Sequence, residues 1–318
     1  MRRPTRESEK REKKRNMNLS IVFAKMAMLV LIMLLGYLCA RIGITGPEFN
    51  QRVTPLMVKV LLPATILNSV LSVPDFSGRE LLDYILVMTV MVALQMLPAW
   101  FLPRLMRTRS EDVGATRLVT AFGNVGFVGL PVVAAIFGDE MVFFASLCNI
   151  PFNLALYSCS AAQLSPGGGR VRWQDVLNAP VIATLLSVVL LLSRVHVPGV
   201  LADTISSVSG VTIPLSMLVI GTSLGGISVR SVLTDWRVYV VSAVRLLVCP
   251  LLTWLVLRPF AAGALLGISV LMAACPSAML VTALCLQYGR SDAFASKCIF
   301  LSTILSAMTI PLLIWLLF

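Results

Sequence analysis

Two segments that contain proline, each inside a long apolar stretch, hold the residues best suited to chemistry. In the first segment the polar Asn124 is followed by Pro131. Three glycines recur there at every third position: Gly123, Gly126 and Gly129. Because Pro131 has no N–H, the carbonyl of Phe127 loses its helical donor, and in hydrocarbon such a group persists only inside protein or beside a water-filled cavity. We therefore predict a broken helix, with a glycine packing stripe and a proline kink as the alternative interpretation.

A second segment, residues 275–278 (Cys-Pro-Ser-Ala), predicts a matching break because Pro276 frees the carbonyl of Met272. Where two broken helices meet, their half-helices expose N-terminal N–H groups that carry partial positive charge. This arrangement predicts an anion site. Asn124 and Ser277 would then supply neutral donors that orient a carboxylate at a lower cost than a buried cation.

The elements that must position these residues are membrane helices. The chain has 318 residues, 58% of them hydrophobic and 13% charged, and its mean hydropathy is +0.89. This composition excludes an ordinary soluble protein and predicts a lipid bilayer, not nucleic acid, as the partner. A bilayer core about 30 Å thick needs around 20 apolar residues per helix. We predict an all-α polytopic membrane protein with ten spans that begin near Ile21, Val53, Leu81, Arg117, Met141, Val176, Ala202, Trp236, Ala261 and Asp292.

The ten spans divide into two sets of five. The predicted units are a basic disordered tail, a first repeat, a cytoplasmic linker and a second repeat, at residues 1–20, 21–162, 163–174 and 175–318. Pro63 and Pro214 fall in the second span of each half, and Pro131 and Pro276 fall in the fourth. Because five is odd, a duplicated unit enters the membrane from opposite sides, which predicts an inverted repeat. A chance match is the alternative, since prolines are common in membrane helices.

Basic residues in the connections predict the orientation of the chain. The connections on one side of the membrane contain eleven arginines and those on the other side contain three. The first side is therefore predicted to be cytoplasmic, with both termini outside, in a multi-pass protein of the cytoplasmic membrane. The tail argues against this orientation, because eight of its residues between positions 2 and 15 are basic. Either the natural protein starts at Met17 and the tail is an over-extension of the gene, or the tail is a disordered arm.

Charged residues within the spans bear on the mechanism. The acidic residues lie at span ends, whereas an ion exchanger normally needs a carboxylate near mid-membrane. Three cations lie deeper: Lys59, Arg245 and Lys297, of which Arg245 is the deepest. They either snorkel to the cytoplasmic surface or form a funnel that concentrates anions. The seven cysteines and the single histidine lack metal-ligand spacing, so we predict neither a metal site nor a cofactor.

Five motifs resemble the auxin efflux carrier family of transporters, which includes the plant PIN exporters. The motifs are Leu62-PATILNSVLSVPDF, Gly123-NVGFVGLPVVAAIFGDE, Asn178-APVIATLL, Ile213-PLSMLVIGTSLGG and Cys275-PSAMLVTALCLQYGRSDAFASK. The resemblance implies ten helices in two inverted five-helix repeats. Spans 1, 2, 6 and 7 would form a scaffold, and the others a transport unit around the crossed, proline-broken fourth and ninth spans. A homodimer through the scaffold is also implied.

The resemblance also implies a substrate site. Its substrate-binding residues would be Asn124, Gly126, Gly129, Pro131, Pro276 and Ser277, with Asn68 of the second span in the same cavity. Secondary candidates are Asn149, Asn153 and Tyr157, together with the deep cation Arg245. The chain lacks the long hydrophilic loop of many plant members, so auxin is a poor match. Some similar bacterial members are associated with dicarboxylates such as malonate or malate.

These observations lead to three hypotheses about function. The first is a secondary transporter that moves small organic anions, carboxylates in particular, by alternating access. The second is a sodium- or proton-coupled symporter or exchanger in which freed carbonyls, such as those of Phe127 and Met272, bind the ion. The third, an intramembrane enzyme, is not predicted, because the chain lacks an H-E-x-x-H motif and a central aspartate pair. A receptor or structural subunit is the non-transport alternative.

Overall fold

The computed structural model describes residues 6–71, 78–165, 173–193 and 197–317, with side chains from residue 23 onward. The regular structure of this part of the chain is helical, with no strand beyond one isolated bridge. Its helices are α1 (Arg6–Arg41), α2 (Pro47–Leu71), α3 (Gly78–Leu105), α4 (Val113–Ala121), α5 (Val125–Phe137), α6 (Glu140–Leu164), α7 (Trp173–Val176), α8 (Ala179–Ser193), α9 (Gly199–Gly225), α10 (Val229–Leu233), α11 (Trp236–Leu257), α12 (Gly263–Ala273), α13 (Leu280–Gln287) and α14 (Ala293–Leu317).

Seven of the described helices are long and apolar enough to cross a membrane: α1 from Phe23 onward, α2, α3, α6, α9, α11 and α14. Three shorter apolar helices, α5, α8 and α12, lie where the fourth, sixth and ninth spans are predicted. The seven long helices already define an all-α, polytopic membrane protein.

Two of the predicted spans are broken in their middle. Residues 122–124 separate α4 from α5, and residues 274–279 separate α12 from α13. The two breaks lie against each other and form an antiparallel bridge between Gly123 and Ser277. We call these two non-helical segments the crossover.

A proline follows each of three π-helical turns in the described helices. The turns span Met57–Leu61, Val125–Gly129 and Val244–Val248. The prolines that stand two residues beyond them are Pro63, Pro131 and Pro250. Proline has no N–H, and its ring clashes with the carbonyl four residues back, so one extra residue in the turn relieves the clash. These prolines therefore redirect α2, α5 and α11 without ending them.

Helices α1 and α9 pack closely through glycines. A Cβ added at Gly36 would collide with the backbone of Leu218, and one added at Gly221 would collide with the carbonyl of Met33. Small residues are what allow membrane helices to approach this closely. The first and seventh predicted spans therefore form a tightly joined pair.

Several element ends differ from the sequence-based boundaries. Helix α1 begins at Arg6, inside the tail predicted to be disordered, because the charged residues there are good helix formers. Helix α6 continues to Leu164, and α7 starts at Trp173, so both enter the predicted linker at 163–174. The linker between 166 and 172 lies outside the described residues. The division into two repeats stays a prediction.

Candidate functional site

The two halves of the crossover satisfy each other's backbone groups. Asn124 N donates to Pro276 O at 2.7 Å, and Ala278 N donates to Phe122 O at 2.9 Å. The carbonyl of Met272, predicted to be free, instead accepts from Cys275 N at 3.4 Å in the turn that ends α12. That prediction was wrong, because the helix stops before Pro276 and tightens its last turn.

Ser277 fastens the crossover to two further helices. Its hydroxyl donates to Val119 O at 2.8 Å, at the end of α4. Its backbone N–H donates to Ser302 Oγ of α14 at 3.1 Å. Ser277 and Ser302 are both completely buried. Ser277 therefore holds the backbone in position, and its side chain does not reach the large cavity described next.

A cavity of about 520 Å³ lies where α5 and α13 begin. Its wall includes Gly126 and Phe127 of α5 and Leu280 of α13. No charged side chain lines it among the described residues. Its polar lining side chains are Asn50, Gln51, Thr54, Asn124, Asn149, Asn153, Tyr157, Asn178, Ser223 and Thr282. The cavity therefore offers amides and hydroxyls to a ligand.

Two amide groups of this wall have no hydrogen-bond partner for their nitrogen within the described structure. They are the Nδ2 atoms of Asn124 and Asn149, residues that are only 6% and 5% exposed. The Asn124 Oδ1 caps α5 by accepting from Phe127 N at 3.3 Å, which leaves Nδ2 as the remaining donor. An unpaired buried amide is costly, so an acceptor that reaches these two nitrogens from the cavity would be stabilising.

The neighbouring amides are already paired. Asn153 donates through Nδ2 to Asn149 O at 2.8 Å, and it accepts from Asn178 Nδ2 at 2.8 Å. Asn178 in turn accepts from Val181 N at 3.2 Å near the start of α8. This chain of bonds fixes the wall around Asn149 and leaves its Nδ2 as a preorganised donor.

Helix ends add to the donor character of the cavity. The first N–H groups of a helix have no partner inside it, and the macrodipole makes that end positive. Both α5 and α13 begin at the cavity wall, with Val125 and Leu280 among the lining residues. Two positive helix ends and two unpaired amides therefore surround one space, which favours an anionic ligand.

Arg245 lies behind this wall and not at the cytoplasmic surface. It is completely buried, and its Nε donates to Cys275 O at 2.9 Å. Its Nη1 donates to Ala121 O at 3.2 Å and to the side-chain oxygen of Gln95. Both predicted roles, snorkelling and a funnel, were wrong for this residue. Its depth was inferred correctly, but its side chain turns inward to the crossover.

The other two deep cations differ from Arg245. Lys59 is exposed. Lys297, at the start of α14, lies 3.8 Å from Asp235. Asp235 also accepts from Arg237 Nε at 3.0 Å, and this hydrogen bond holds the pKa of the Asp235 carboxyl below its usual value. Lys297 therefore belongs to an ion cluster at the helix ends.

The structure brings five of the predicted site residues to the cavity wall: Asn124, Gly126, Asn149, Asn153 and Tyr157. The remaining crossover residues pack behind the wall. Gly129 faces Met272 and Cys275, where an added Cβ would approach Met272 Sδ to 2.8 Å. Pro276 and Ser277 contribute backbone bonds. Their positions are structural, and a substrate contact by any of the predicted residues stays a prediction.

Asn68 does not share the large cavity. With Pro131 it lines a separate cavity of about 170 Å³, together with Asp139 and Ser206. Asn68 stands near the end of α2, beyond Pro63, and the large cavity is lined by residues from the start of α2. The prediction of one shared cavity was wrong because α2 passes both cavities, one at each end.

Several wall residues were missed from the sequence. Asn50, Gln51 and Asn178 lie at helix starts, where polar residues are ordinary and carry no functional signal. Thr282 lies in the second half-helix of the crossover. Gln95, the partner of Arg245, could have been found, because it is an uncharged polar residue in the middle of an apolar span.

Ser223 belongs to a G-x-S-x-G pattern, residues 221–225, which is typical of some hydrolases. That motif requires a strand, a sharp turn and a helix. Here the pattern lies inside α9, and Ser223 Oγ donates to Val219 O of the same helix at 3.0 Å. Asn50 Nδ2 donates to Ser223 Oγ at 2.7 Å. The pattern therefore reflects helix packing.

The long apolar helices define a multi-pass membrane protein, and the two broken spans beside a cavity with polar side chains in its wall are typical of a transporter. The family model described as membrane transport protein matches residues 21–165 and 168–314. The chain therefore belongs to this family, and the resemblance to auxin efflux carriers is confirmed.

Two archaeal relatives extend over most of the chain. An uncharacterized transporter of Methanothermobacter thermautotrophicus is 31% identical over 294 residues, which cover 90% of this chain and 95% of the relative. An uncharacterized transporter of Methanocaldococcus jannaschii is 23% identical over 301 residues, which cover 91% and 96%. Both relatives are transporters by description, and neither description gives a substrate.

Proposed function

We propose that the protein is a secondary transporter that moves small organic anions, carboxylates in particular, across the cytoplasmic membrane. The observation that carries this proposal is the pair of unpartnered amide nitrogens on Asn124 and Asn149, which are buried in the wall of a cavity where two helices begin. Carboxylate oxygens accept from neutral amides and from helix N-terminal N–H groups. The protein needs no cofactor and catalyses no chemical reaction in this proposal.

The proposed architecture is ten membrane helices in two inverted five-helix repeats. Three shorter apolar helices added to seven long ones give this number. The broken pairs α4–α5 and α12–α13 support the repeat, because each would be the fourth span of its half. Spans 1, 2, 6 and 7 would form the scaffold, through which two copies associate as a homodimer.

The two cavities support alternating access. The 520 Å³ cavity is lined by Asn50, Asn178 and Ser223, which stand beside the arginine-rich connections. The 170 Å³ cavity is lined by Asn68 and Asp139, near the opposite helix ends. With the arginine-rich side in the cytoplasm and both termini outside, this conformation is inward-facing.

The alternative, a sodium-coupled symporter or exchanger, requires carbonyls that are free to bind the ion. At the crossover, Cys275 O and Ala121 O already accept from Arg245, and Met272 O accepts from Cys275 N. These bonds favour the anion transporter without a bound metal ion. Proton coupling is compatible with the same cavity.

Uptake by reconstituted protein tests the proposal. Proteoliposomes with wild type, Asn124→Ala or Asn149→Ala would be given labelled mono- and dicarboxylates. Loss of one hydrogen bond to a charged group costs about 1.5–3 kcal/mol, so each variant should need roughly 10- to 100-fold more substrate for half-maximal uptake. Thr204→Ala, an exposed residue of α9 bonded only within its helix, serves as the control. Unchanged uptake by both asparagine variants would refute the site.

A further inference from the structure

Arg245 is a buried cation without an acidic partner. It is 0% exposed, and no Asp or Glu of the described chain forms an ion pair with it. An isolated charge in a membrane interior is expensive, and such residues are usually paired or bound to backbone carbonyls. Arginine keeps its positive charge even when buried. Something in its surroundings must therefore stabilise a permanent cation.

The oxygens around Arg245 come from the ends of two half-helices. Ala121 is the last residue of α4, and its carbonyl accepts from Nη1 at 3.2 Å; Thr120 O lies 3.4 Å from the same atom. Cys275 follows the end of α12, and its carbonyl accepts from Nε at 2.9 Å. Both half-helices thus turn their negative C-terminal ends toward one guanidinium.

The same set of groups would suit a metal cation. Broken helices in transporters bind sodium through unwound carbonyls and C-terminal half-helix ends. Here three carbonyls and the Gln95 side-chain oxygen converge, and the guanidinium takes all four. A metal ion bound by these four oxygens would therefore have to displace the Arg245 guanidinium.

We propose that Arg245 is a tethered cation that occupies, within this chain, the place where a mobile sodium ion would otherwise join the two half-helices. The crossover is then complete without a metal ion. Sodium-independent transport follows from this, and that consequence rests on the proposed function. The claim that Arg245 takes the place of a bound metal ion does not rest on the proposed function.

Thermal unfolding of the purified full-length protein tests the inference without any substrate. Wild type, Arg245→Ala and the control Arg258→Ala would be compared in guanidinium chloride, sodium chloride and tetramethylammonium chloride at equal low-millimolar concentration. Arg258 is the matched control, because it directly follows the last residue of α11 and is exposed, 4.6 Å from the Trp254 ring.

The expected result has two parts. Arg245→Ala should melt at a lower temperature than wild type, and guanidinium should recover much of that loss saturably, as mass action requires. Tetramethylammonium should not do so, and neither wild type nor Arg258→Ala should gain from guanidinium. Sodium should not stabilise wild type beyond tetramethylammonium. Equal guanidinium responses in all three proteins, or saturable stabilisation of wild type by sodium, would overturn the inference.

Arg245→Lys covers the case in which Arg245→Ala does not fold. Lysine keeps the charge but loses the planar fork, so this variant should melt lower than wild type and still show no sodium response. A sodium response in Arg245→Lys or wild type counts against the inference.

Anion uptake in sodium and in choline medium separates the two proposals. Equal uptake in both media supports the proposed function and the tethered cation. Sodium-dependent uptake would overturn the tethered cation while supporting transport. Absence of uptake for every anion tested, together with the expected thermal result, would count only against the proposed function.

Discussion

At the scale of single residues, the crossover depends on the absence of a side chain at Gly123. A Cβ added at Gly123 would collide with Arg245 Nη2 and would approach Cys275 Cβ to 3.1 Å. Gly123 also lines the large cavity. The guanidinium therefore lies directly behind the cavity wall, where its charge adds to the attraction for an anion.

Gly123→Ala should destabilise the protein, since the methyl group would displace Arg245 from its carbonyls. Overpacking of this kind costs about 1–3 kcal/mol, and we expect a lower melting temperature of the purified protein. Gly126→Ala is the matched control, because its Cβ would only touch Leu62 Cδ1 at 3.4 Å. If the two variants melt at the same temperature, the proposed proximity of Gly123 to Arg245 is wrong.

The sequence revealed some site residues because they break a local rule. Asn124 is polar in an apolar, glycine-rich span, so its position near the cavity could be predicted. Arg245 was assigned to the surface because counting residues from a span end gives depth but not the direction of a side chain. Asn68 was grouped with the wrong cavity, because two positions on one helix can face different compartments.

At the scale of elements, proline and the crossover contacts explain how helices break inside a membrane. Proline spacing predicted the break in the ninth span, which contains Pro276, but misplaced the break in the fourth span, which lies at residues 122–124 and leaves Pro131 inside α5. It did not indicate the partners of the released groups, which come from other helices: Asn124 with Pro276, and Ser277 with Ser302. Such partners depend on tertiary packing and have no local sequence signal.

Ser302→Ala tests whether α14 supports the crossover. The change removes the acceptor of the buried Ser277 N–H, and an unsatisfied buried donor costs about 1–3 kcal/mol. We expect a clear loss of thermal stability. Ser306→Ala is the comparison, since this buried hydroxyl donates to Thr303 O of its own helix at 2.7 Å. Equal melting temperatures for both variants would show that the Ser302 contact is unimportant.

An ion cluster joins three of the elements around the crossover. Arg237 Nη1 of α11 lies 3.1 Å from Asp112 Oδ2, just before α4, and Asp235 lies 3.8 Å from Lys297 of α14. Charges that form a network stabilise a protein more reliably than isolated surface pairs do. The helices that contact the crossover are thus tied together at one end.

At the scale of the whole molecule, the two cavities lie at opposite ends of α2. Composition and span counting predicted a polytopic helical protein, and the motifs predicted the family. The unequal sizes of the cavities, about 520 Å³ and 170 Å³, could not be predicted, because conformational state is a balance between packings of the same sequence.

Alternating access predicts opposite accessibility for the two cavities. Thr54→Cys would report on the large cavity and Asn68→Cys on the small one. The background should carry Cys39→Ser and Cys159→Ser, because the other five cysteines are buried. A membrane-impermeant maleimide should modify Thr54→Cys from the cytoplasmic side and Asn68→Cys from the outside.

A transported anion should change these two labelling rates in opposite directions. In alternating access, each of the two conformations has one cavity open and the other closed. The measurement compares intact cells with inverted vesicles, each with and without saturating anion. Labelling of both cysteines from one side would contradict the proposed orientation of the two cavities. Rates that rise or fall together would contradict alternating access, because a shift of one two-state equilibrium cannot open both ends of the same pathway.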